Sequence, residues 1–193
     1  TTGTLTADFI KAMKKAAVAA NTKGIPVVLD VCGAGATAFR NAKSFELLDD
    51  VRVDIIKGNG SEIARVSGED ARTRGVDSAP VTQDMAALAM ALAAKRRCTV
   101  VVTGREDIVA GSQKLRLVKN GHPLMTHVVG TGCMAASVIG AFAAVEPDYV
   151  LASTAGLACF EIACECAAKK SAGPGTFKER MYDCLYRLDK TTI

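Results

Sequence analysis

The sequence predicts a three-layer α/β fold, a mostly parallel central sheet with helices on both faces. Three observations lead there. Segments with helical spacing of apolar residues alternate with apolar runs too short to be helices. Those runs are rich in valine and isoleucine, as strands buried on both faces are. Aromatic residues make up only 5% and tryptophan is absent, so alanine and valine must fill the core. The chain of 193 residues is long enough for one domain with a full core. No repeat, low-complexity segment or long linker divides it.

Thr1-Thr-Gly-Thr4 reads as the tail of a strand or a loop entering the first helix. Leu5 to Asn21 is that helix, because Phe9, Ile10, Met13, Ala16, Ala17 and Ala20 recur at helical spacing. Gly24 stops it. Ile25 to Asp30 is a buried strand ending in an acid, and Val51 to Lys57 repeats the design. Asn59 to Val66 opens a helix, with Asn59 or Ser61 as its cap and Glu62 in its first turn. Gln83 to Arg97 is a strong helix whose Lys95-Arg96-Arg97 end suits the helix dipole. Cys98 to Thr103 is a third strand. Asp107 to Ala110 and Lys114 to Val118 form a hairpin around Gly111-Ser112. A glycine turn at 130–132 then precedes a buried helix from Met134 to Val145. A hydrophobic helix from Tyr149 to Ala168 ends near Gly173-Pro174-Gly175. Three core strands are few for such a sheet, so a further N-terminal segment is expected outside these residues.

Composition excludes several classes. Hydrophobic residues are 49% and charged residues 23%, which describes a globular chain. The net charge is +4, with its cations scattered, so no nucleic-acid partner is expected. The seven cysteines are an odd number without a Cys-x-x-Cys pair. They match no zinc spacing and fit a reducing, cytoplasmic compartment. Thr1 to Lys23 carries polar residues throughout and does not read as a leader. Met134 to Val145 is too short to span a bilayer, so no membrane partner is expected.

Ligands of such folds bind outside the C-terminal ends of the strands. Asp30, Lys57, Thr103 and the turn at Gly130 all fall at such ends. Gly130-Thr131-Gly132-Cys133 is the most informative stretch. A glycine turn opening a helix aims backbone N–H groups and the positive end of the helix dipole at one point, which favours an anion. Cys133 at that point serves either as a proton acceptor, since the same field favours thiolate, or as a small apolar residue opening a buried helix. Asp30 faces either a metal–phosphate site or an ordinary turn, which it caps. Gly33-Ala34-Gly35-Ala36 behind it does not fit the dinucleotide fingerprint. Asn59 and Glu62 either cap their helix or also hold Mg²⁺ through water. Lys57 neutralises phosphate or is a solvated strand end. Thr103 bonds a nucleotide or ends its strand. His122, His127 and the Cys164-x-Cys166 pair read as structural.

Several motifs together resemble one family. Val28-Leu-Asp-Val-Cys-Gly-Ala-Gly-Ala-Thr-Ala-Phe-Arg40, Ile56-Lys-Gly-Asn-Gly-Ser-Glu-Ile63, Arg74-Gly-Val-Asp-Ser78 and Val101-Val-Thr-Gly104 come first. Asn120-Gly-His-Pro-Leu-Met-Thr126, Gly130-Thr-Gly-Cys133 and Gly173-Pro-Gly-Thr-Phe177 follow. Their order is similar to that of hydroxyethylthiazole kinases. Most specific is the Asn-Gly-His-Pro-Leu-Met-Thr stretch followed by Gly-Thr-Gly-Cys, because ribokinase-like relatives usually carry Asp at the Cys133 position.

The resemblance implies a ribokinase-like fold. It implies transfer of the ATP γ-phosphate to 4-methyl-5-(2-hydroxyethyl)thiazole, a step of thiamine biosynthesis and salvage. It places Cys133 as the catalytic base and Gly130, Thr131 and Gly132 as the anion hole, with Gly130 also touching substrate. Asp30 and Glu62 serve Mg²⁺, and Lys57, Thr103 and Asn59 serve the nucleotide. It further implies a homotrimer with its thiazole pocket between subunits. Three features depart from the family. Val31-Cys32 stand where Pro-Val is usual. Lys57 replaces an arginine and loses its planar fork. The family's N-terminal segment is absent. Two alternatives stand beside this reading: a kinase of another vitamin-precursor alcohol, and a catalytically silent nucleotide-binding subunit.

Overall fold

The computed structural model describes residues 1–68 and 81–189. Seven α-helices and five strands follow one another among the described residues: α1 (Ala7–Thr22), β1 (Val28–Asp30), α2 (Ala38–Asp50), β2 (Ile55–Asn59), α3 (Gly60–Ser67), α4 (Val81–Arg96), β3 (Thr99–Thr103), β4 (Asp107–Ala110), β5 (Leu115–Val118), α5 (Thr131–Ala143), α6 (Tyr149–Ala168) and α7 (Pro174–Arg187). A 3₁₀ helix, Pro123–His127, precedes α5. The Arg74–Ser78 motif lies outside the described residues.

The strands form one sheet in the order β1-β2-β3-β4-β5. β1, β2 and β3 pair in parallel, and β4 and β5 extend the sheet as an antiparallel hairpin. Only β4 therefore runs against the others. Register decides what the strand ends bring together. Asp30 pairs with Lys57, and Asn59 pairs with Thr103. At one edge, Thr2 donates its N–H to the Asp30 carbonyl at 3.0 Å. Its hydroxyl bonds the Cys32 carbonyl at 2.9 Å. The opening residues are thus a loop held along β1.

Side chains alternate across the sheet, and each face has its own helices. Ile56, Val100, Val102 and Ile108 pack with α1 to α4. Ile55, Val101 and Val109 pack with α5, α6 and α7. Each such aliphatic contributes about 1.5–3 kcal/mol when fully buried. Helix α6 has 20 residues and a mean hydropathy of 1.5, sufficient by length and composition to cross a membrane. Here it buries Leu157, Phe160, Ala163 and Cys164 inside the second core.

Several boundaries differ from expectation. The sequence assigns no helix to 38–50, yet α2 forms there behind the Thr37 cap, which accepts the Arg40 N–H. Its buried positions, Ser44, Leu47 and Leu48, make a weak apolar stripe. β1 is shorter than its apolar run because Pro26 has no N–H for a ladder and the Ile25 N–H closes α1 on Ala20. The buried helix begins at Thr131, not Met134, so Gly132 and Cys133 lie in its first turn.

Candidate active site

Strand register and helix geometry converge at the C-terminal end of β1 and β2. Lys57 is not a solvated strand end. Its ammonium lies 3.3 Å from Asp30 Oδ1, and both side chains are only 3% exposed. A buried charge needs such a partner. The ammonium also lies 3.2 Å from the point where a Cβ on Gly132 would stand. The strand ends and the start of α5 therefore meet, and a side chain at 132 would crowd the lysine.

The turn into α5 requires Gly130. Its φ of 99° is left-handed, a conformation that L side chains rarely adopt. Among the described residues, no side chain caps the helix behind it. The Thr131 hydroxyl instead anchors the turn from outside, donating to the Met125 carbonyl at 3.2 Å or to Val128 at 3.3 Å. First-turn N–H groups free of a cap keep their donors for an anion.

Cys133 stands at the head of this helix, half-buried. Its Sγ is 3.3 Å from the Thr1 hydroxyl. Among the described residues, no hydrogen bond joins it to a histidine. That disfavours a cysteine–histidine nucleophile and leaves the proton-acceptor role open. The Cys32 thiol is pushed up by burial, then by Asp30, Glu62 and Cys133, with Lys57 opposing. These five side chains therefore share one electrostatic neighbourhood.

Glu62 does two jobs. Its Oε2 accepts the Asn59 N–H at 2.7 Å, and Asn59 Oδ1 accepts the Glu62 N–H at 3.0 Å, a reciprocal cap on α3. Its Oε1 accepts the Gly33 N–H at 2.7 Å, clamping the loop after β1. Gly58 makes this approach possible, since a Cβ there would lie 2.9 Å from Val31 and 3.1 Å from Glu62. Asn59 is occupied as a cap, with Ser61 donating to its Oδ1 at 2.8 Å.

Among the described residues, no three His, Cys, Asp or Glu side chains gather as a metal cage. Asp30 is paired with Lys57, and Glu62 is bonded to backbone. Two such carboxylates fit a magnesium ion that arrives with a nucleotide and is held largely by phosphate and water.

From this point an open cleft of about 680 Å³ runs between Thr103-Gly104 and the 119–126 loop, with Ala135, Leu157 and Glu161 beneath. Thr103 sits at its rim, its hydroxyl 3.4 Å from the Gly58 carbonyl. His122 flanks the cleft in a structural role. Its Nδ1 accepts the Leu124 N–H at 3.2 Å, and its ring lies 6.5 Å from that of Phe177. Another cleft, beside Asp54 and Lys114, contains none of the site residues expected from the sequence.

Two cleft residues escaped the sequence reading. Asp107 and Glu161 are both buried. Burial raises the Asp107 carboxyl and pushes Glu161 up to about 9. A lone pair of glutamates in the apolar run 149–168 was the signal available. Cys98 and Cys164 behave as core thiols, each pushed up to about 12 by burial.

Comparison with known proteins follows the same lines. The model of the hydroxyethylthiazole kinase family matches residues 1–191. A hydroxyethylthiazole kinase of Methanosarcina mazei is 51% identical over 191 residues, covering 99% of this chain and 73% of that protein. One from Chloroflexus aurantiacus is 44% identical over 191 residues, covering 99% and 71%. The solved structure of hydroxyethylthiazole kinase protein from Pyrococcus horikoshii OT3 matches with a TM-score of 0.89 at 40% identity, over 99% of this chain and 71% of that one. A ribokinase-like superfamily protein from Enterococcus faecalis V583 shares the fold, with a TM-score of 0.65 at 17% identity over 95% and 60%.

Proposed function

Because the chain belongs to the hydroxyethylthiazole kinase family, we propose that it transfers the γ-phosphoryl group of ATP to the hydroxyl of 4-methyl-5-(2-hydroxyethyl)thiazole. The observation that carries this reading is the meeting of Lys57, Asp30 and the uncapped start of α5 at one point, with Cys133 beside them.

In the proposed reaction the substrate oxygen bonds the γ-phosphorus as the bond to the β–γ bridging oxygen breaks. ADP leaves, and Cys133 takes the hydroxyl proton. A general base contributes about 10²- to 10⁴-fold. The larger share comes from holding and neutralising the transferring group. The N–H groups at 131–132 and the Lys57 ammonium face that group. Asp30 and Glu62 would hold the Mg²⁺ that accompanies ATP, which would neutralise phosphate charge. Thr103 and the cleft behind it receive the rest of the nucleotide, and Gly130 leaves room for the alcohol.

We read the 193 residues as one ribokinase-like domain, since both cores share one sheet. The resemblance further suggests a homotrimer working in the cytoplasm, and seven free thiols suit a reducing compartment.

The deciding experiment is MgATP-dependent phosphorylation of hydroxyethylthiazole by this chain, with mass spectrometry of the product. Thiazole phosphate supports the reading. Its absence, with nucleotide binding intact, favours a silent nucleotide-binding subunit.

A further inference from the structure

Asp107 opens β4, Glu161 lies in the middle of α6, and both line the same cleft, near enough for each carboxyl to act on the ionisation of the other. They are 4% and 5% exposed. Two neighbouring buried carboxyls disfavour ionising together, so the pair holds one proton between them. Glu161 Oε2 is buried with no hydrogen-bond partner among the described residues, which disfavours an ionised carboxylate there. Asp107 Oδ1 accepts the Gly104 N–H at 2.9 Å.

The pair joins the two lips of the cleft. Through Gly104, Asp107 holds the turn that follows Thr103. Glu161 supports the opposite lip, with its Cδ 3.7 Å from where a Gly121 Cβ would stand. One turn along α6, Glu165 accepts the Gly121 N–H at 2.8 Å and the Asn120 side-chain amide at 3.2 Å. We propose that Asp107 and Glu161 are positioning residues, and that the proton they share fixes the width of the cleft for the nucleotide. This rests on the reading that the cleft takes ATP.

The surrounding charges are mixed. Lys57 on β2 favours ionisation of Asp107, and Glu165 on α6 disfavours that of Glu161. Cys164 lies within reach of Glu161 on the same helix. Arg105, Lys119 and His122 line the cleft from its loops. Burial dominates, so the pair keeps its proton at neutral pH and loses it near pH 9. Above that, the competent fraction falls about tenfold per pH unit, and the apparent Kd for MgATP rises in proportion.

Stability follows the same proton. Native Glu161 binds it up to about pH 9, whereas the unfolded chain releases it near 4.5. The native state holds more protons between those values. The contribution is therefore complete below the unfolded pKa and is lost as pH rises through the folded one.

The test measures MgATP Kd by calorimetry against pH for the full chain and two variants. In Glu161→Gln the amide donates to Asp107 without titrating. The parent Kd is expected to climb above pH 9, while that of Glu161→Gln climbs about tenfold less per unit. Glu161→Ala should weaken binding already at pH 7, and the glutamine should restore it. A purely structural role would lower the Tm of Glu161→Ala and leave the Kd of the folded protein unchanged. Parallel pH profiles in parent and Glu161→Gln would overturn the proposal, even if Glu161→Ala does not fold. Infrared titration without substrates gives a second readout. A protonated-carboxyl band should persist at pH 7, vanish near pH 9, and be missing from Glu161→Gln. Its absence at pH 7 would remove the shared proton. A protein that makes no thiazole phosphate but shows the band and the Kd profile would sink the kinase reading and leave the pair standing.

Discussion

Cys133 is the residue on which the proposed chemistry turns. Among the described residues its thiol caps no backbone group and bonds no histidine; its neighbour is the Thr1 hydroxyl at 3.3 Å. Cys133→Asp places a carboxylate at the same point and is expected to keep phosphoryl transfer. Cys133→Leu removes the acceptor and should cost about 10²- to 10⁴-fold in kcat. Unchanged turnover in the leucine variant would end the base assignment. Sequence already pointed to this residue, because two glycines and a following apolar run announce a helix start. Lys57 was harder to judge. A lysine ending an apolar run is solvated or buried according to what lies beyond it, and only the approach of Asp30 and Gly132 decides.

At the scale of elements, the two glycines opening α5 play different parts, and substitution separates them. Gly130→Ala meets no neighbour within 4 Å among the described residues, so its penalty is the left-handed backbone, about 1–2 kcal/mol. A denaturant melt reads that loss. Gly132→Ala has ordinary helical backbone but brings a methyl to 3.2 Å from the Lys57 ammonium. It should fold nearly as well and lose activity, in the reverse order of its neighbour. Glu62 joins α3 to the loop after β1 through Gly33. Glu62→Gln replaces one acceptor oxygen by an amide that cannot accept, costing about 1–3 kcal/mol. It should also raise the Mg²⁺ concentration needed for half-maximal rate. An unchanged Mg²⁺ titration would reduce Glu62 to its capping role. The cap was legible from Asn59-Gly-Ser-Glu62, whereas the clamp on Gly33 was not, because that contact spans 29 residues of chain.

The whole molecule should respond to its nucleotide. At a MgATP concentration 100 times Kd, binding stabilises the native state by about 2.7 kcal/mol. For a chain of this size that raises Tm by roughly 5–10 °C. No shift at saturating MgATP would count against every nucleotide-binding reading. By itself, the sequence determined the layered α/β class, the strand ends and the glycine turn. Periodicity, polar strand termini and left-handed glycines are local properties that need no knowledge of neighbours. It also carried the family, through motifs that keep their order along the chain. Tertiary structure alone decided which strand ends adjoin, since register sets Asp30 beside Lys57. It likewise revealed α2, whose apolar stripe is too sparse to announce itself. Asp107 and Glu161 lie more than fifty residues apart and meet only when α6 crosses the hairpin. A shared proton depends on that meeting and on the loss of water around it, neither of which one-dimensional spacing encodes.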